Sequence, residues 1–179
     1  MRIRLCTALL IGLLVSPALA TIVVSFNPPD QTVDVSAGIT TVDIVANIPT
    51  EDAIIGWGLD LGTTGTSATF DPVLYPPAIG PLFNVAFAPD GDGLAGLVEP
   101  PAVVSGDGVV LATVVLTLNG LGTTLLDASY TPGNWPDLTE GFMTEAGFAQ
   151  VAFEQGAVHV TPEPASLALL ALVGLLRRR

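Results

Sequence analysis

Carboxylates are the one abundant reactive group in this chain, and two stretches space them in a way that has chemical meaning. Asp90-Gly91-Asp92 sets two carboxylates two residues apart on a glycine-flexed loop, and Asp107 stands between Gly106 and Gly108. Hard oxygen ligands converging on such loops suit calcium, which is the candidate cofactor. The loop departs from an EF-hand, because it lacks the third Asp or Asn and the distal Glu. Asp-Gly pairs are equally good turn formers, so a plain turn is the competing reading. Trp135, in Pro132-Gly133-Asn134-Trp135-Pro136, is the candidate ligand-binding residue. A loop indole offers a flat ring to stack on a sugar, or else folds back as a lid over the core. Paired carboxylates also hydrolyse glycosides, but in so acidic a chain some suitably spaced pair is unavoidable, and a carbohydrate-active hydrolase ranks below a binding role.

Other catalytic groups are scarce. Every Lys or Arg position is one of Arg2, Arg4, Arg177, Arg178 and Arg179; the only cysteine is Cys6 and the only histidine His159. No lysine means no Schiff base and no Lys–Asn crosslink. Composition also sets aside nucleophilic triads and His-rich metal sites, and no catalytic residue is assigned. His159, between Val158 and Val160, is expected to be a solvated strand residue turned away from the valines. Of the 17 acids, all but Glu163 fall within residues 21–161, so that stretch carries a charge near −16 with no basic side chain. Such a field repels nucleic acid and anionic lipid and attracts cations.

The elements that hold these loops follow a period of two. Val42, Ile44, Ala46 and Ile48 share one face against Thr41, Asp43, Val45 and Asn47. The same alternation puts Val33 and Val35 on one face, and Ile55, Trp57, Leu59 and Leu61 on another, opposite Gly56, Gly58 and Asp60. Trp57 is thereby assigned to the core. Val110, Ala112, Val114, Leu116 and Leu118 make the longest apolar row, and further strands are expected over 124–130 and 148–160, the last interrupted at Gly156. Turn signals recur between them, including Asn27-Pro28-Pro29-Asp30, Pro76-Pro77 and Asn119-Gly120. Many short strands without a helical pattern predict an all-β fold, an antiparallel β-sandwich, over residues 21–161.

The termini read differently. Arg2 and Arg4 precede the apolar run Leu5 to Val15, and Ala18-Leu19-Ala20 is a small-x-small site. Residues 1–20 therefore read as a signal helix cut after Ala20 by signal peptidase, with Ala18 and Ala20 as the cleavage residues. Cys6 leaves with it. Residues 162–179 combine Pro162-Glu163-Pro164, the apolar run Ala165 to Leu176 and the three arginines. As a helix that run spans only about 18 Å against a hydrocarbon core of about 30 Å, although the arginines lengthen it by snorkelling.

This three-part tail resembles the PEP-CTERM sorting signal. The resemblance implies a transmembrane sorting helix that holds the precursor in the inner membrane of a Gram-negative bacterium, with Arg177, Arg178 and Arg179 as the membrane stop. An exosortase partner would then recognise and cut near Pro162, Glu163 and Pro164, releasing the chain to the cell surface or medium. It also implies association with exopolysaccharide or extracellular matrix, as a structural or glycan-binding module. Between the labels, Ile55-Gly56-Trp57-Gly58-Leu59-Asp60-Leu61, Phe70-Asp71-Pro72-Val73-Leu74 and Gly106-Asp107-Gly108-Val109-Val110-Leu111 look like cohesin and related carbohydrate-binding-like jelly rolls. That second resemblance implies the alternative role, a protein-docking module. Both readings are non-enzymatic.

Overall fold

The computed structural model describes residues 21–87, 93–130 and 140–163. The expected signal helix and sorting helix lie outside them. The first strands are β1 (Ile22–Asn27), β2 (Asp30–Asp34), β3 (Ile39–Ile48), β4 (Ile54–Thr64) and β5 (Ala68–Phe70). The Pro- and Gly-rich stretch that follows contributes the short β6 (Ala78–Ile79), β7 (Val85–Phe87) and β8 (Gly93–Leu97). Then come β9 (Gly106–Leu118), β10 (Gly122–Ser129), β11 (Gly141–Thr144), β12 (Gly147–Phe148), β13 (Val151–Phe153) and β14 (Gly156–Thr161). Among the described residues there is no α-helix, and none long and apolar enough to cross a membrane.

Two sheets face each other. The first has the order β13-β1-β3-β9-β5, with β6 also on β9. The second runs β12-β11-β4-β10-β14-β2, with β8 on β4 and β7 on β8. Ile22, Val24, Val42, Ile44, Val114 and Leu116 from one sheet meet Trp57, Leu59, Leu126, Phe142 and Val158 from the other. Each such side chain contributes about 1.5–3 kcal/mol by leaving water. The core residues all lie between Ile22 and Val160.

The sandwich is not wholly antiparallel. β1 pairs with β13 and β2 with β14 in parallel, so the chain's opening strands, one in each sheet, are clamped by its closing ones. The expected single stretch 148–160 is accordingly three strands in two sheets, because Gln150 and the Glu154-Gln155-Gly156 step let the chain cross between layers.

Among the described residues the register shifts at three places, the third between Ala46 and Ile48, and the first two reverse the expected faces. Met143 pairs with Gly56 but Thr144 with Ile54, leaving Ile55 as an extra residue. Ile54, 0% exposed, takes the inward place expected of Ile55, which turns outward half-buried. In β9 the register steps from Ile44–Ala112 to Val45–Val110, so Leu111 is buried and Val110 faces out. Val33 and Val35 pack against the core as expected, although the strand stops at Asp34, whose carboxylate accepts from Ser36 N at 2.8 Å to start a 3-10 turn.

Candidate functional site

Cross-strand pairing decides what the outer face of the second sheet presents. On β10, β14 and β2 the outward positions are polar apart from the Leu125–Ala157 pair: Thr123 and Asp127, His159, then Asp30 and Thr32. His159 is better connected than a solvated strand residue. One ring nitrogen, Nδ1, lies 2.8 Å from Thr123 Oγ1, and Nε2 lies 2.9 Å from Asp30 Oδ1. A hydroxyl, an imidazole and a carboxylate in that order are the parts of a nucleophilic relay, which composition had set aside. Here they span three adjacent strands on an open face, with the His159 and Asp30 side chains 39% and 67% exposed. Water reaches all of them, so the arrangement ties β10, β14 and β2 together rather than shielding a reaction.

Across β4 the same face turns apolar. Gly56 pairs with Leu97 on one side and Met143 on the other, and Gly58 pairs with Ala95 and Gly141. Without side chains of their own, these glycines form a floor on which neighbours lie flat. A Cβ on Gly56 would sit 2.6 Å from Leu97 Cδ2, and one on Gly141 would meet Phe148 at 3.0 Å. Leu97 and Phe148 remain 40% and 60% exposed.

Beside this floor lies a hollow of about 350 Å³, lined by Ile55, Leu97, Val98, Pro100, Pro101, Ala102, Met143 and Glu145. A neighbouring hollow of about 340 Å³ shares Leu97, Val98 and Pro100 and adds Asn84 and Glu99. The walls are held by backbone bonds. Val98 N donates to Ile55 O at 3.0 Å, while Ile54 and Val104 exchange bonds of 2.8 and 2.9 Å. Asn84 Nδ2 donates to Glu99 Oε2 at 3.1 Å. Two prolines and a turn in which Ala102 N donates to Glu99 O restrict the rim further. The bulge is what brings Ile55 into this wall, and alternation alone hid it.

The residues singled out from sequence fare unevenly. Trp57 is in the core, 2% exposed and edge-on to Phe83 at 5.7 Å. Asp107 is exposed in the turn opening β9, where Gly106 and Gly108 have positive φ and Gly108 N donates to Asn47 Oδ1. Among the described residues no cluster of three or more His, Cys, Asp or Glu is placed to hold a metal. Pro162 and Glu163 follow directly on β14. Ala18, Ala20, Asp90, Asp92, Trp135, Pro164 and Arg177 to Arg179 lie outside the described residues.

No family model matches this chain, and no curated protein matches it by sequence. Solved structures match it by fold. The seventh type I cohesin of ScaB from Pseudobacteroides cellulosolvens superposes with TM-score 0.52 at 12% identity, covering 80% of this chain and 94% of its own. The fold is cohesin-like. The third cohesin ScaC of Acetivibrio cellulolyticus, solved in complex with the ScaB dockerin, gives TM-score 0.54 at 13% identity over 78% of this chain and 99% of that one. A type III cohesin module from the cell-surface anchoring scaffoldin ScaE of Ruminococcus flavefaciens gives 0.53 at 15%, over 78% and 87%. These structural neighbours are cohesin modules, so the cohesin resemblance read from the strand-and-turn order is matched at the level of fold.

Proposed function

We propose that the mature chain is a non-enzymatic protein-docking module displayed outside the cell. The observation that carries the reading is the glycine-floored apolar face of β4, β8 and β11 with its rigid-walled hollow at Ile55, Leu97 and Met143. What sets Leu97 apart from the other exposed apolar residues is that it lines a concavity, and Phe148 pairs with Met143 in the same wall, so a partner's apolar side chains have a hollow to fill. Support comes from the cohesin-like fold, one of whose neighbours was solved with a dockerin bound. Docking of a protein thus replaces glycan binding as the leading role. The export route is part of the proposal: signal peptidase acts after Ala20, and an exosortase acts near Pro162-Glu163-Pro164, leaving the module in the matrix or on the surface of a Gram-negative cell.

Affinity capture from the producing organism's secreted proteins tests this, with Leu97→Asp as the control bait and a glycan array run alongside. A protein retained by the native module and lost with Leu97→Asp is the expected result. Glycan binding that survives Leu97→Asp and is lost with Trp135→Ala would instead return the module to the polysaccharide.

A further inference from the structure

We infer that the partner of the Leu97–Met143 hollow is a separate chain presenting a cationic, apolar segment. This rests on the docking reading and adds the partner's chemistry. The wall of the hollow is apolar, but its rim is not: Glu145 lines it and Glu99 lines the adjoining depression, both on the exposed surface. Nothing in the module balances them. Between residues 5 and 176 there is no Lys or Arg, and the one imidazole is engaged with Thr123 and Asp30 on the far half of the sheet. A partner with apolar side chains for the floor and Lys or Arg flanking them satisfies both halves, and the field of the whole domain steers it in.

Two other occupants fail on charge or reach. A second copy would bring a surface of the same sign and no basic residue outside its termini. The chain's own tail has the right chemistry, an apolar run and then Arg177 to Arg179, yet leaves from the wrong end. Leu126 pairs with both Gly156 and Thr63, so β14 runs parallel to β4 and exits beyond its far end. Counting along the strands, Thr161 is five positions past Gly156 and Ile55 eight before Thr63. That separation is about 43 Å at about 3.3 Å per residue, beyond the roughly 28 Å reached by Pro162-Glu163-Pro164 extended and the apolar run as a helix.

The test is selection of displayed peptides. A phage library of random 16-residue peptides is panned against the full chain in nonionic detergent, in parallel with Leu97→Ser/Met143→Ser, and the best binder is synthesised and titrated. Peptides kept by the native chain and lost by the double variant should combine apolar residues with Lys or Arg. Their affinity should drop about fivefold in Glu99→Gln/Glu145→Gln, and fall further with added salt. Both carboxylates are exposed and Glu99→Gln keeps an amide oxygen to accept from Asn84, so this variant keeps the test readable if the serine variant unfolds. Hollow-dependent peptides that are neutral or acidic would overturn the inference while leaving docking intact. Basic peptides held equally by all variants would overturn it as general charge attraction. Failure to enrich any peptide that distinguishes the native chain from the serine variant would remove docking at this face as well.

Discussion

Thr124 is a polar side chain with no exposure at all, and its hydroxyl explains why. It accepts from Ala68 N at 2.9 Å and shares a 2.8 Å bond with Ser67 Oγ, so two groups buried where β5 begins depend on one oxygen. Thr124→Val keeps the shape and removes that oxygen. It should cost about 1–3 kcal/mol, read as a lower urea midpoint at unchanged slope. Gly96 makes a steric case instead. A Cβ there would lie 2.7 Å from Trp57 Nε1 and 3.0 Å from Phe83 Cβ, inside the edge-on aromatic pair. Gly96→Ala should therefore destabilise by about 1–3 kcal/mol and shift Trp57 fluorescence as the indole is pushed off its seat. An unchanged midpoint together with an unchanged spectrum would show that this part of the core yields freely.

Among the elements, β3 and β9 are paired on both edges and their inner faces are closed by the opposite sheet, whereas β12 and β6 are two-residue strands paired on one edge. Amide exchange should follow that difference: slowest at Ile44, Val114 and Leu116, fastest at Phe148 and Ile79. Protection of β12 equal to that of β3 would contradict this topology. The same contrast marks what was legible in the sequence. β3 could be read residue by residue, since one buried face and no bulge before Ile44 leave alternation intact. In β4 and β9 an inserted residue reverses the faces, and single-chain alternation cannot see it because the bulge is a property of the pair. β13 and β14 pair in parallel with strands more than a hundred residues away, a contact that local pattern does not encode. The candidate docking wall was hidden for the same reason. Ile55 looked like core, and Leu97 and Pro100 lay in a stretch that showed only as Pro and Gly.

For the molecule as a whole, charge and the placement of its two ends set the terms. A domain near −16 repels itself, so added salt should raise its melting temperature by screening. Calcium is proposed to act beyond screening through Asp90 and Asp92. If it does, it should exceed magnesium at matched ionic strength and lose that excess in Asp90→Asn/Asp92→Asn; identical curves in both ions would leave screening alone. The tail follows Thr161 at the end of the sandwich away from Ile55, so a precursor held by that tail would present its hollow outward while still tethered. Under the sorting proposal, tethering would hang on three charges, because an apolar run of about 18 Å would hold weakly and carrying Arg177 to Arg179 through the bilayer costs several kcal/mol even on the mildest scale. In a strain without the exosortase, the native precursor should stay in the inner membrane, and replacing the three arginines with serine should release full-length protein. With the enzyme present, C-terminal peptide mass spectrometry should find the exported chain ending near Pro162-Glu163-Pro164. Recovery of exported chains that still carry Arg179 would break the sorting proposal and leave the docking face without its tether.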